Sequence, residues 1–191
     1  MNLIFATQNQ NKANEIQKIV PEGITVLTLK EIGCTEDIPE TAKTLEGNAR
    51  LKSFYVYENY AENCFADDTG LEVDALNGEP GVYSARYAGE AKSAQANMDL
   101  LLEKMKGEKN RNARFRTVIS LVLNGEEYQF EGVVEGKIRE KKSGAAGFGY
   151  DPIFEPNGYS STFAEMSTNE KNAISHRGKA VRKIIQFLNN M

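Results

Sequence analysis

Histidine occurs once in the 191 residues, as His176, and cysteine only twice, as Cys34 and Cys64. That excludes a Cys/His structural zinc site, a two-histidine catalytic metal centre and a disulfide framework. A Ser-His-Asp triad would have to use His176. Long apolar runs are missing as well: nothing approaches the roughly 20 residues of a membrane span. The apolar run Leu3 to Ala6 is too short for the core of a signal peptide. The expectation is a cytoplasmic protein with reduced thiols and no membrane partner. An excess of positive charge is also lacking. Lys and Arg number 23 against 27 Asp and Glu, a net charge of -4, which opposes bulk binding to nucleic acid. Any metal chemistry then falls to carboxylates and a hard ion such as Mg²⁺.

What is present is an ordinary globular balance, 40% hydrophobic and 26% charged, long enough to bury its own core. With no linkers, repeats or low-complexity segments, residues 1–191 read as one domain. Leu3 to Ala6 reads as a buried strand. A helix stripe of Ala13, Ile16, Ile19 and Val20 follows and is stopped by Pro21, and a second strand covers Ile24 to Leu29. Residues 44–61 predict a helix that places Asn48 and Lys52 on one face. Phe65-Ala66 reads as a strand leading into Asp67-Asp68-Thr69-Gly70, and Leu71 to Leu76 as a further strand. Residues 77–92 read as a long loop. Residues 93–106 predict an amphipathic helix capped by Ser93. Arg114 to Leu123 and Glu126 to Val134 form a hairpin turned by Asn124-Gly125. A capping box, Ser167 to Glu170, opens a final helical segment carrying Val181, Ile184, Ile185 and Leu188. The fold class is α/β with a mixed sheet flanked by helices.

Four segments could carry chemistry. Thr7, Gln8, Asn9, Gln10, Asn11 and Lys12 form a polar passage from a strand into a helix N-terminus, a place that favours anions. It holds no glycine, so it is neither a Walker A loop nor a Rossmann fingerprint; it could equally be a capped turn. Asp67 and Asp68 offer carboxylates for Mg²⁺ or for water, and strand alternation sends them to opposite faces; a polar turn is the plainer alternative. Gly144 to Asp151 combines glycines with Phe148 and Tyr150, flat faces on which a base can stack, while Asp151 can accept from a ring N–H. Lys171, Ser175, His176 and Arg177 set two cations about a hydroxyl and an imidazole, an anion or carbonyl clamp. The basic run Lys137 to Lys142 reads as a solvated strand edge.

Five motifs in order extend over nearly the whole chain: Ala6-Thr7-Gln8-Asn9-Gln10-Asn11-Lys12, Ala66-Asp67-Asp68-Thr69-Gly70-Leu71, Pro80-Gly81-Val82-Tyr83-Ser84-Ala85-Arg86-Tyr87, Gly147-Phe148-Gly149-Tyr150-Asp151-Pro152 and Ser175-His176-Arg177-Gly178. With them the chain resembles the inosine triphosphate pyrophosphatase family. The resemblance implies a long mixed central sheet with two lobes and the active cleft between them. It implies hydrolysis of deaminated purine nucleoside triphosphates (ITP, dITP, XTP) to monophosphate and pyrophosphate, a need for Mg²⁺, and a homodimer. A related pyrophosphatase acting on standard or modified pyrimidine nucleotides is the alternative. By resemblance, Thr7, Gln8, Asn9, Gln10, Asn11 and Lys12 grip the triphosphate with Lys52. Glu40 and Asp68 bind metal, Asp68 is also the general base, and Thr69 stands beside it. Phe148, Gly149, Tyr150, Asp151, Lys171, His176 and Arg177 surround the nucleotide. One departure is visible: Gly47 stands where the family commonly has glutamate, with Glu46 one position earlier.

Overall fold

The computed structural model describes residues 1–191. Its strands are β1 (Asn2–Phe5), β2 (Thr25–Thr28), β3 (Cys64–Val73), β4 (Pro80–Gly81), β5 (Asn112–Leu123), β6 (Glu126–Ile138) and β7 (Phe154–Pro156). Its helices are α1 (Gln10–Gln17), α2 (Leu45–Tyr60), α3 (Ala94–Lys104), α4 (Thr168–Ile174) and α5 (His176–Asn189). The strands form one seven-stranded sheet in the order β2-β1-β3-β5-β6-β7, with β4 added on β3. β1 runs parallel to β2 and β3, whereas β3–β4 and β6–β7 are antiparallel. The sheet is therefore mixed, as expected.

By packing, the chain divides into two compact units. The first holds Met1–Asp68, Thr117–Gly132 and Arg177–Met191, and the second Thr69–Arg116 and Val133–His176. In the first unit, side-chain alternation sorts the strands into two apolar faces. Leu3, Phe5, Phe65, Ile119 and Leu121 pack with Ala13 and Ile16 of α1 and with Ala180, Val181 and Ile184 of α5. Ile4, Ala6, Cys64, Ala66 and Val122 pack on the other side with Val56 of α2. The result is a helix–sheet–helix sandwich. The β5–β6 connection is Asn124-Gly125 with φ of 51° and 88°, the left-handed pair that a tight hairpin turn requires.

The second unit has its own core. Met98, Leu101 and Met105 of α3 pack with Leu71, Val73, Phe115, Tyr150, Phe154 and Phe163. The 77–92 segment is shorter as a loop than its composition suggests. It contributes β4 and a 3₁₀ turn at Ser84–Arg86. The basic run is not simply solvated: Lys137 and Arg139 both pair with Glu155, and Lys142 pairs with Asp99.

Four boundaries differ from the expectations; one is Leu71 to Leu76, read as a further strand, of which Leu71–Val73 closes β3 and Asp74–Leu76 is a 3₁₀ turn. α1 ends at Gln17 with Lys18 as its C-cap, so Ile19 and Val20 pack beyond the helix rather than in it. Asp67-Asp68-Thr69-Gly70 is not a strand end: β3 runs unbroken from Cys64 to Val73. Two carboxylates in mid-strand are tolerated because each has polar partners, described below. The final helical segment is two helices. Ser175 adopts φ -68°, ψ 159°, an extended conformation that ends α4 before α5 begins.

Candidate active site

Strand alternation decides what each aspartate meets. Phe65 faces α1 and α5, so Asp67, two residues on, faces the same way. Its Oδ1 accepts from Lys12 Nζ at 2.9 Å, and its Oδ2 accepts from Arg177 Nε at 3.1 Å. Ala66 faces α2, and Asp68 follows it: its Oδ2 accepts from Asn48 Nδ2 at 3.0 Å. Lys52, one turn along α2 from Asn48, donates to the Asp67 carbonyl at 2.7 Å and pairs with Glu40. Glu15, on the α1 face that carries Lys12, pairs with Arg177. Asp67 and Arg177 are each 1% exposed.

These contacts drive the two neighbouring carboxyls apart in pKa. Burial raises Asp67, but Lys12, Arg177 and Lys52 outweigh it and hold the group well below the usual carboxylate range. Burial also raises Asp68; Lys52 and Lys12 offset only part of that, Glu40 adds to it, and the group stays above its ordinary value. Burial raises Glu40 as well, but Lys52 more than compensates and the group is lowered. Lys12 is lowered, chiefly by burial, in spite of Asp67. For Lys52 the carboxylates overcome burial, and its pKa is raised. Asp67 is thus a counter-ion to Lys12 and Arg177, while Asp68, held by Asn48, keeps a raised pKa.

The 7–12 segment is a helix entrance, as expected. The Asn9 side chain caps α1, accepting from the N–H groups of Asn11 and Lys12. Thr7 Oγ1 accepts from the Asn9 N–H. Gln8 donates to the Glu36 carbonyl and Gln10 to Asn14. Asn9, Gln10 and Asn11 remain exposed at the helix end, and Thr69 is half-buried on β3.

In the second unit, Lys171 Nζ donates to Asp151 Oδ2 at 2.6 Å, and the same oxygen accepts from the Phe148 N–H at 2.9 Å. The Lys171 ammonium lies 4.7 Å from the centre of the Phe148 ring. Gly147, with φ 72°, is required here, because a Cβ would fall 2.1 Å from Asp151 Oδ2. Gly149 is also left-handed, with φ 61°. Tyr150 is buried and donates to the Ser84 carbonyl. His176 is buried and stacks on Phe115, with centroids 4.7 Å apart and planes 16° apart.

In the first unit Lys12, Lys52 and Arg177 share Asp67, and in the second Lys171 pairs with Asp151. Sequence reading missed Glu15 and underrated Asp67 and Asn48. Asn48 was visible as the residue one helical turn before Lys52, and Glu15 as an acid three residues after Lys12 among apolar positions. Asp67 had no local signal, because its partners are 55 and 110 residues away.

A mixed-sheet α/β protein with strand-borne carboxylates among buried lysines is built to handle a multiply charged anion. More narrowly, the chain belongs to the Ham1 family, whose model matches residues 3–187 and so spans both units. It is 58% identical over 188 residues to the dITP/XTP pyrophosphatase of Flavobacterium johnsoniae, covering 98% of each chain. Its fold matches the Ham1 protein of Staphylococcus aureus with a TM-score of 0.89, at 42% identity and covering 100% of this chain and 99% of that one. The Ham1 protein of Coxiella burnetii gives 0.91 at 35% identity, covering 100% of each. The resemblance read from the five motifs is borne out.

Proposed function

We propose that the chain is a dITP/XTP pyrophosphatase, a hydrolase that converts deaminated purine nucleoside triphosphates to the monophosphate and pyrophosphate. The observation that carries this reading is the Asp67–Asp68 pair: adjacent carboxyls on opposite faces of β3, Asp67 held by Lys12 and Arg177 and Asp68 by Asn48, with Lys52 on the Asp67 carbonyl. Water attacks the α-phosphorus, the bond from that phosphorus to the bridging oxygen breaks, and pyrophosphate leaves with the electron pair. Asp68 takes the proton of the attacking water. Lys12 and Lys52, held by Asp67 and Glu40, neutralise charge growing on the departing pyrophosphate. The exposed amide side chains of Asn9 and Asn11 at the head of α1 supply further donors for phosphate oxygens.

The donor set at Glu40 and Asp68 fits Mg²⁺. Both ligands are hard oxygens, the kind of donor Mg²⁺ takes. No group of three or more such side chains gathers here, but Mg²⁺ needs only one or two carboxylates when phosphates and waters complete its shell. When bound, the ion supplies charge neutralisation for the phosphate oxygens.

Base choice falls to Asp151 and Lys171. A 6-oxo purine offers an N1–H donor and an O6 acceptor, the complement of a carboxylate beside an ammonium. Adenine offers the reverse pattern and leaves both buried groups unmatched, which discriminates by orders of magnitude. Phe148 supplies a face for the ring. For His176 and Arg177, the reading is support of the nucleotide from within the aromatic cluster and the Asp67 network, respectively. If Arg177→Ala retains full preference for ITP over ATP, Arg177 is no reader of the base. Residues 1–191 act as one catalytic domain. A homodimer in the cytoplasm completes the reading, and light scattering tests the dimer; no helix is long and apolar enough to cross a membrane. The deciding experiment is a panel of nucleoside triphosphates with Mg²⁺, scored for monophosphate and pyrophosphate. Turnover should favour ITP, dITP and XTP over ATP, and equal turnover of all would refute the proposal.

A further inference from the structure

The motif Pro80 to Tyr87 has no part in the chemistry above, yet it is tied to the turn that carries Phe148 and Asp151. Ser84 is the junction. Its Oγ accepts from the Leu71 N–H of β3 at 2.9 Å and donates to the Gly81 carbonyl at 2.6 Å. Its carbonyl oxygen accepts from Tyr150 Oη at 2.7 Å and from Asn97 Nδ2 at 3.3 Å. Asn97 also donates to the Ala85 carbonyl at 3.0 Å, and its Oδ1 accepts from the Ala88 N–H at 2.7 Å. Asn97 is 3% exposed on α3, and Ser84 and Tyr150 are buried as well.

β3 and the Ser84 turn are also pressed together. A Cβ at Gly70 would lie 2.7 Å from the Gly81 carbonyl oxygen, so only glycine at 70 permits the approach that brings Ser84 to Leu71. A buried carbonyl with two donors at its lone pairs is fixed in direction. The tyrosine hydroxyl that meets it is fixed in turn, and with it the backbone on either side of Tyr150. Phe148 lies two residues before that backbone, and Asp151 directly after it.

We infer that Asn97 and Ser84 form a strut that positions the Phe148–Asp151 turn through the Tyr150 hydroxyl, making Asn97 a positioning residue for base recognition. The inference rests on the proposed function of that turn. Because the strut serves the base-facing turn and not Asp68, its loss should appear in KM and base preference, with kcat nearly spared.

The test compares Tyr150→Phe, Asn97→Ala and the double variant, each with KM and kcat for ITP and with the ratio of kcat/KM for ITP to that for ATP. Removing the single Tyr150 hydrogen bond predicts a KM about tenfold higher for Tyr150→Phe, and Asn97→Ala, which removes three, raises it at least as much; kcat changes less than about threefold in each. The ITP/ATP ratio should fall alongside. Since Tyr150 acts through the carbonyl that Asn97 fixes, the double variant should be no worse than Asn97→Ala within about twofold. Multiplying effects, a fall confined to kcat, or unchanged KM in Tyr150→Phe would each overturn the strut. Should Asn97→Ala fail to fold, Tyr150→Phe, which keeps the packed ring, decides alone by the same KM-against-kcat criterion. A wild-type chain that releases no pyrophosphate from ITP, dITP or XTP would instead refute the parent reading.

Discussion

Asp67 and Asp68 are covalent neighbours in different surroundings, and the difference comes from the sheet face to which each side chain points. Asp67 pairs directly with two cations and its pKa is lowered, whereas for Asp68 burial outweighs the pull of Lys52 and Lys12, and its pKa is raised. The proposed role of Asp68 as base therefore runs against its contribution to stability. A carboxyl with its folded pKa above the unfolded value is most favourable to the fold below the unfolded pKa, and that advantage is lost as pH rises through the folded pKa. Burying the ionised form is a burden on the fold. Asp68→Asn keeps an acceptor for Asn48 and removes the charge. In urea titrations with a chelator present, it should be at least as stable as the parent. Its kcat on ITP with Mg²⁺ should nevertheless fall by about 10²-fold or more, the scale of a lost general base. Near-normal turnover would remove Asp68 from the mechanism.

At the scale of elements, most of the fold was legible because helix stripes, caps and the Asn124-Gly125 turn are local signals. The Ser93 cap and the Ser167–Glu170 capping box both formed as read. What misled was polarity inside a strand: Asp67 to Gly70 resembles a turn by composition, and only the buried cations on either face make it a strand interior. Gly47 shows the same limit. Helix propensity alone says glycine near the start of α2 costs about 1 kcal/mol relative to alanine, so Gly47→Ala should stabilise. The packing says otherwise, for a Cβ at 47 would stand 2.6 Å from Ala42 Cβ and 3.1 Å from Thr44 Oγ1, the N-cap oxygen that accepts the Gly47 N–H. Alanine's Cβ has no flexible end to move aside, so the 42–44 segment must shift and strain the cap. Gly47→Ala should lower stability by about 1 kcal/mol or more, an overpacking loss that exceeds the propensity gain. A higher urea midpoint for the variant would show that the segment yields freely. The glycine that departs from the family's glutamate is thus matched to Ala42.

Across the molecule, a chain of net charge -4 folds so that charge of both signs gathers in one place: Lys12, Lys52 and Arg177 stand among Glu15, Glu40, Asp67 and Asp68. Lys12, Lys52 and Arg177 come from α1, α2 and α5 and converge on Asp67 in β3. The candidate residues were legible as motifs, but their convergence was not, since no local pattern joins positions 12, 67 and 177. Asp67 is accordingly the point at which the site and the stability of the first unit coincide. Asp67→Asn would leave Lys12 and the Nε edge of Arg177 buried beside a neutral amide, and breaking a buried pair from one side costs about 3–5 kcal/mol. The sign with pH follows from the lowered pKa. The stabilisation by Asp67 is fully present above the unfolded carboxyl value, and it is lost as pH falls through a folded value well below the usual range. The gap between parent and variant should therefore be wide and flat at neutral pH, then close on acidification. Urea titrations at pH 7 and at successively lower pH, in chelator so that no metal contributes, measure that gap directly. A variant as stable as the parent at pH 7, or a gap unchanged in acid, would show that the cations do not depend on Asp67 for their place in the fold.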